Sequence, residues 1–172
     1  MELWDILTRD GTPTGRTVSR GEQVFHRGEY HLVVHIWVTD GRGNFLIQKR
    51  SEERPLMPGE WAATGGSAVA GESSAVAALR ELGEEMGIKT EQDKLTFIRR
   101  FIKRNSLVDV YMLKARVKVN ELTLQTEEVA EARWVSSDDL KRYIADGLFH
   151  DYGEEYFKTV IAAAEKETEM SR

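Results

Sequence analysis

The strongest constraint on this chain lies between Glu72 and Ile88, where a helical pattern gathers acids on one side. At about 100° per residue, with Arg80 set at zero, Glu84 falls near 40°, Glu81 near 100° and Glu85 near 140°. Ala75, Val76, Leu79, Leu82 and Met86 fall between about 200° and 320°. The pattern predicts a helix over Glu72 to Met86 with an apolar face turned to a sheet. The opposite face then collects three carboxylates and one guanidinium.

That collection is unfavourable in three ways. Glu81 and Glu85 are like charges at i,i+4, which cost a few tenths of a kcal/mol. Between Ser51 and Ile88 the only cationic side chains are Arg54 and Arg80, so no lysines balance the acids. All three carboxylates lie in the C-terminal half of the helix, where the macrodipole disfavours anions. A solvated acidic stripe normally avoids such penalties, so the sequence implies a compensating cation. Oxygen ligands of this kind suit Mg²⁺ or Mn²⁺ rather than zinc. The glycines add to the pattern. Gly65, Gly66 and Gly71 let the chain turn ahead of the helix, and Gly87 fits the left-handed position after Met86, with Ile88 as the apolar cap contact. Gly83 costs about 1 kcal/mol relative to Ala inside a helix, which close approach to a strand would rationalise.

Around this helix the chain reads as a mixed sheet with flanking helices. Strands are expected at Glu2 to Leu7, Tyr30 to Thr39, Phe45 to Arg50, Ala62 to Ala68, Leu95 to Lys103, Leu107 to Val119 and Ala132 to Val135. Thr8 to Gly15 reads as a turn, and Asp40-Gly41-Arg42-Gly43-Asn44 as a hairpin turn. Ser51 to Trp61 holds two of the three prolines and reads as a loop. Further helices are expected at Ser136 to Ala145, with Ser136 or Ser137 as cap, and at Tyr152 to Glu167, with fraying beyond. Strands outnumber helices without regular alternation, which argues against a doubly wound parallel sheet.

The 172 residues suit one domain, with a short N-terminal β extension over about 1–29. Cysteine is absent, which removes disulfides, a thiol nucleophile and thiolate metal sites. The net charge of -5 argues against sequence-blind binding to a nucleic-acid polymer. No apolar run approaches membrane-spanning length, and the first residues lack a secretory pattern, so a cytoplasmic location is expected.

Gly66 to Ile88, GSAVAGESSAVAALRELGEEMGI, resembles the signature box of the Nudix hydrolases. Gly66, Glu72, Arg80, Glu81, Leu82, Glu84, Glu85, Gly87 and Ile88 fill its defined positions. The order of hairpin, box, paired strands and C-terminal helix is similar to the Nudix α/β/α sandwich. The resemblance implies that Glu81, Glu84 and Glu85 bind the metal, that Glu72, Arg80 and Gly87 brace the box, and that a later loop glutamate assists. Glu128 fits that loop position, six residues before Trp134, with Glu127 and Glu131 as neighbours. The implied activity is metal-assisted hydrolysis of a phosphoanhydride in a nucleoside-diphosphate-type compound, with Glu84 or Glu128 taking a proton from water. The substrate is a small diphosphate-containing molecule; a homodimer through the N-terminal strands is compatible with the pattern.

WDILTRDGTPTGR and EYHLVVHIWVTDGRGNFLIQKRS resemble more narrowly the Nudix subgroup related to isopentenyl-diphosphate isomerase. That isomerase uses a cysteine, which this chain lacks, and Ser67 stands where its group commonly has a histidine. His31 matches one isomerase ligand position without its partner. A silent nucleotide-sensing module is a further alternative, although such modules typically lose box glutamates.

His31 and His35 are about 13 Å apart along a strand, too far to share one ion; one of them lining the cleft is compatible with substrate binding, and His31 is the residue singled out. Among Lys49, Arg50 and Arg54, Arg50 is the expected phosphate contact. Trp4, Trp37 and Trp134 read as core, whereas Trp61, beside the glycine pair, reads as core or as a substrate contact.

Overall fold

The computed structural model of the chain describes residues 1–22 and 24–172. A hairpin comes first, β1 (Leu3–Leu7) and β2 (Pro13–Ser19). It is followed by β3 (His31–Thr39), β4 (Asn44–Arg50), β5 (Trp61–Ala62) and β6 (Thr64–Ser67). Then come α1 (Ser74–Met86), β7 (Leu95–Lys103), β8 (Ser106–Lys114), β9 (Val129–Ser136), α2 (Ser137–Ala145) and α3 (Glu154–Met170). Among the described residues no helix is long and apolar enough to cross a membrane.

The main sheet is mixed. β3 runs parallel to β8, and every other pairing is antiparallel. β3 touches β4 only at Val38 and Thr39; from Val33 to Ile36 it pairs with β6 instead. β4 turns to β9 along its whole length. The sheet therefore splits behind the Asp40–Asn44 turn, with β3, β6, β8 and β7 on one side and β4, β5 and β9 on the other.

β3 explains the layering. Leu32, Val34, Ile36 and Val38 pack with Ala77, Ala78, Leu82 and Met86 of α1. Val33 and Trp37 face the other way, toward Phe149, Tyr156, Phe157 and Val160 of the C-terminal segment. A strand buried on both faces needs the near-continuous apolar run that β3 carries. The result is an α/β/α sandwich with a mixed sheet.

Several element ends differ from the sequence reading, each for a local reason. Glu72 precedes α1, because Ser73 caps the helix through Val76 N at 3.3 Å. Pro13–Ser19 is a strand although it buries only Val18, because its register with β1 is set by backbone pairing rather than by alternation. Ala62 to Ala68 divides at Ala63 into β5 and β6, which pair with different strands. β8 ends at Lys114, short of Val119, and β9 begins earlier than Ala132 because it follows β4 to Arg50. α3 runs on to Met170, past the expected fraying point at Glu167.

The larger correction concerns how α1 sits. Its buried residues are Ala77, Ala78, Leu82, Glu85 and Met86, while Val76 is 46 % exposed. The buried arc is thus turned toward the acidic side of the wheel, and Glu85, only 3 % exposed, lies against the sheet with the apolar residues. Two small residues, Ala77 and Ala78, let the helix approach on that side. The expected strand contact of Gly83 is also absent. A Cβ there would meet only Ile88 O at 3.9 Å.

These placements can be checked by urea unfolding. Leu82→Ala should lose about 2–5 kcal/mol, as a buried leucine truncation does. Val76→Lys should stay within about 0.5 kcal/mol of wild type, where the wheel alone would place a core residue. Gly83→Ala should gain several tenths of a kcal/mol, up to about 1, because the added methyl meets open space and helix propensity improves.

Candidate active site

Arg80 organises the acidic cluster. Its Nε donates to Glu72 Oε1 at 2.7 Å and its Nη2 to Glu72 Oε2 at 3.0 Å, a two-pronged pair. Nη1 donates to Glu81 Oε1 at 2.9 Å and Glu84 Oε2 at 3.1 Å. Nη2 also reaches Ser67 O at 3.1 Å, tying helix to β6. Burial alone would raise the Glu72 carboxyl, but Arg80 and the Val69 N–H outweigh it and hold the group below the usual range. Glu72 is thereby tied both to Arg80 and to the backbone ahead of the helix.

Glu81 and Glu85 are in the opposite situation. Burial pushes Glu81 up against the pull of Arg80, with Glu84 and Glu128 adding repulsion. Burial likewise pushes Glu85 up to about 8, opposed by Gln48 and helped by repulsion from Glu81 and Glu128. Gln48 Nε2 donates to Glu85 Oε2 at 2.6 Å, and Gly65 N lies 3.4 Å from the same oxygen. Gln48 escaped the sequence reading. Its signal was alternation, since it shares a strand face with Leu46 and is a polar residue at an inward position.

The glycines fit the acids. A Cβ on Gly66 would overlap the Glu81 carboxylate, so glycine lets that carboxylate lie against the backbone of β6. Gly87 has φ +68, and a Cβ there would fall 2.9 Å from Thr123 N and 3.0 Å from Thr123 O. That close approach lets the 119–128 segment dock on the end of α1, with Thr123 N donating to Met86 O at 3.2 Å and Gln125 N to Glu85 O at 3.1 Å.

Docking of that segment sets Glu128. Its backbone carbonyl accepts from Ser51 N at 2.9 Å, and its side chain pairs with Arg54 Nη1 at 3.1 Å. A bulge between Lys49 and Arg50 lies directly beside it. Arg50 is partly buried and its Nε donates to Leu56 O at 3.0 Å, fixing the 51–60 loop. Burial and the adjacent Arg54 lower the Arg50 pKa, against the attraction of Glu85 and Glu128. Arg50, Arg54, Glu85 and Glu128 therefore share one neighbourhood. Arg54, passed over in favour of Arg50, is the one paired with Glu128.

Two other expected contacts lie elsewhere. His31 stacks on Trp4 with centroids 4.4 Å apart, and its Nε2 meets Ser106 Oγ at 2.8 Å. Burial lowers its pKa to about 4. It fastens the N-terminal hairpin, and among the described residues none of these partners belongs to the box. Trp61 is buried in the α2–α3 core, edge-on to Tyr143, with the Arg133 guanidinium over its ring at 4.8 Å. Of the two β3 histidines, the one that lines a cavity is His35.

The acidic cluster suits a hard divalent cation by its chemistry. The donors are carboxylate oxygens, two of them raised by burial, with Arg80 as their principal counterion. Among the described residues, Glu81, Glu84 and Glu85 do not already converge on one coordination point. Glu84, 54 % exposed at its side chain, is the one free to swing.

Fold and site together define an α/β/α protein in which one arginine holds three glutamates beside a glycine pair, with a fourth, Glu85, buried next to them. The family model described as NUDIX domain matches residues 29–157, and the chain belongs to the Nudix hydrolase family. It is 37 % identical over 153 residues to an uncharacterised Nudix hydrolase of Listeria monocytogenes, covering 88 % of this chain and 90 % of that one. It is 30 % identical over 166 residues to isopentenyl-diphosphate Delta-isomerase 2 of Photorhabdus laumondii, covering 93 % and 90 %. The fold matches the crystal structure of DR0079 from Deinococcus radiodurans with TM-score 0.75, 17 % identity, and coverage of 95 % and 99 %. Nudix hydrolases generally use divalent metal ions.

Glu85 generates a pH prediction. Its folded pKa of about 8 lies above the ordinary 4.5, so the folded chain keeps a proton that the unfolded chain releases. Stability is therefore lost as pH rises from about 4.5 through about 8, and no further above that window. Glu85→Gln cannot ionise, so its stability relative to wild type should climb across that window and then level off. Chemical denaturation at stepped pH without divalent metal reads this directly. Parallel curves for the two proteins would contradict the burial of Glu85 as an ionisable group.

Proposed function

We propose that this protein hydrolyses a phosphoanhydride bond in a small nucleoside-diphosphate-linked compound, with Mg²⁺ or Mn²⁺ held by Glu81, Glu84 and Glu85. The observation that carries the reading is the arrangement around Arg80, where one guanidinium braces Glu72 and leans on Glu81 and Glu84 while Glu85 stays buried beside them. When bound, the metal would neutralise diphosphate charge and activate water.

The chain's own residues supply the rest. Glu81 is placed by Gly66 and Arg80, and Glu85 by Gln48 and Gly65 N. Glu128 and Glu84 are the two candidates to accept the water proton: both are partly exposed, whereas Glu85 is buried and shared with Gln48. Arg50 and Arg54, which share a neighbourhood with Glu85 and Glu128, are suited to hold phosphate oxygens that the metal does not. A substrate phosphate would compete with Glu128 for Arg54, releasing that carboxylate as the site fills. Isomerase chemistry dependent on a cysteine has no residue to carry it here, since the chain has no cysteine.

The test is a panel of nucleoside diphosphates, triphosphates and nucleotide-linked compounds, with Mg²⁺, with Mn²⁺ and with chelator. At least one compound should be cleaved only when metal is present. Glu84→Gln and Glu81→Gln should each lower kcat by about 10²-fold or more, the scale of losing a base or of disturbing charge stabilisation. Binding of a nucleotide without any cleavage, in both metals, would replace the hydrolase with a sensor.

A further inference from the structure

A cavity of about 250 Å³ lies behind β3, lined by His35, Phe101, Lys103, His150, Tyr152 and Tyr156 among others. It has no part in the acidic cluster, yet it borders it. Gly65 donates its N–H toward Glu85 on one side, while the position of its missing Cβ falls 3.0 Å from His35 Cδ2 on the other. Tyr152 Oη accepts from Ala63 N at 3.3 Å, and Ala63 O lies 3.4 Å from Gln48 Nε2, the partner of Glu85. Cavity and acids are thus opposite faces of one short strip, Ala63 to Gly66.

The walls are mainly flat rings. His35 and Tyr152 have centroids 4.8 Å apart, Tyr152 and Tyr156 4.7 Å, His150 and Tyr152 4.8 Å, and Phe101 and Tyr156 5.1 Å. Complete small-molecule sites occupy roughly 300–1,000 Å³, so this space suits one ring system of a larger ligand.

One polar group in the wall is set by a hydrogen-bond chain. Trp37 Nε1 can only donate, and it donates to Tyr156 Oη at 2.9 Å. Tyr156 Oη lies 2.7 Å from His35 Nδ1. The buried tyrosine proton has no other acceptor among the described residues, so Tyr156 donates and Nδ1 accepts. His35 is then the tautomer with its proton on Nε2. Burial, with His150 and Lys103 adding to it, lowers the His35 pKa to about 3, so the ring stays neutral. Nε2 has no partner among the described residues and is not sealed from solvent.

We propose that this cavity takes the planar heteroaromatic base of the substrate, with His35 Nε2–H donating to a ring nitrogen or carbonyl of the base and Tyr152 supplying a stacking face. A saturated or isoprenoid chain would fit the apolar walls but leave that donor unpaired, which discriminates against it. The inference rests on the hydrolase reading, in which the diphosphate carries a nucleoside, and deepens it by assigning the residues that hold the base.

The first experiment needs no turnover. In ¹⁵N-histidine NMR of the full chain, His35 should show a protonated Nε2 and a bare Nδ1. Titration with AMP, GMP, CMP and UMP should shift the Nε2 signal with at least one of them, and isopentenyl monophosphate should not. No shift with any nucleotide, or a shift with the isoprenoid alone, overturns the proposal. In the second, for whichever nucleotide-linked compound is cleaved, His35→Phe should raise KM about tenfold while kcat falls less than threefold. An unchanged KM overturns the base contact and leaves hydrolysis standing. A shift of His35 by a nucleotide with no cleavage of any compound leaves the base site standing and removes the hydrolase.

Discussion

The site depends on one side chain, Arg80. Its guanidinium makes five hydrogen bonds, to three different glutamates and the Ser67 carbonyl. A lysine could not replace it, because a point charge on a flexible stem lacks the planar fork that holds Glu72 by two prongs and still reaches the helix acids. Through Ser67 the same group fixes the distance between α1 and β6. Without that tie, Glu81 and Glu84 would lose the one cation hydrogen-bonded to them among the described residues.

From that tie the remaining geometry follows. Once α1 is held against β6, Glu81 lies on the bare backbone of Gly66, and Glu85 is pressed into Gln48. The bare left-handed turn at Gly87 then admits Thr123, and two backbone hydrogen bonds carry the chain from the helix end to Glu128. Box glycines and box acids are thus parts of one construction. Gly66 makes room for a carboxylate, and Gly87 makes room for the segment that delivers another.

How much of this was legible in the sequence varies with the range of the interaction. The strands around Tyr30 to Arg50 and the helix over Ser74–Met86 were readable because their signals are local: β-branched runs, a Gly-rich turn, a helical period. The box resemblance singled out Glu72 and Arg80, which lie within hydrogen-bond reach of each other. The orientation of α1 was not readable, because the wheel assigns apolar residues to the core by default. Here the core side is set by Ala77 and Ala78, which allow closeness, and by the Gln48–Glu85 bond, which makes a buried acid tolerable. The pairing of Arg54 with Glu128 joins residues far apart in sequence, and no local pattern announces it. His31 and His35 have the same strand parity, and only the partners at each end, Trp4 and Ser106 against Tyr152 and Tyr156, separate a fastening role from a cavity wall.

The split of the sheet behind the Asp40–Asn44 turn gives these pieces a common logic. Because β3 pairs with β6 from Val33 to Ile36 and meets β4 only at Val38 and Thr39, the strip from Ala63 to Gly66 is contacted from two sides at once. Glu85 approaches one side and His35 the other, and the absence of a side chain at Gly65 brings the two groups near through a single strand. A larger residue at Gly65 would collide with Val34 O and with His35, pushing β6 from β3 and loosening both faces together. Charge handling on the helix side and ring recognition on the tyrosine side are therefore coupled by backbone rather than by side-chain contacts. The separation between the two is fixed by the thickness of one strand. A ligand using both must bend around that edge past Arg50, whose guanidinium feels Glu85 and Tyr152 alike.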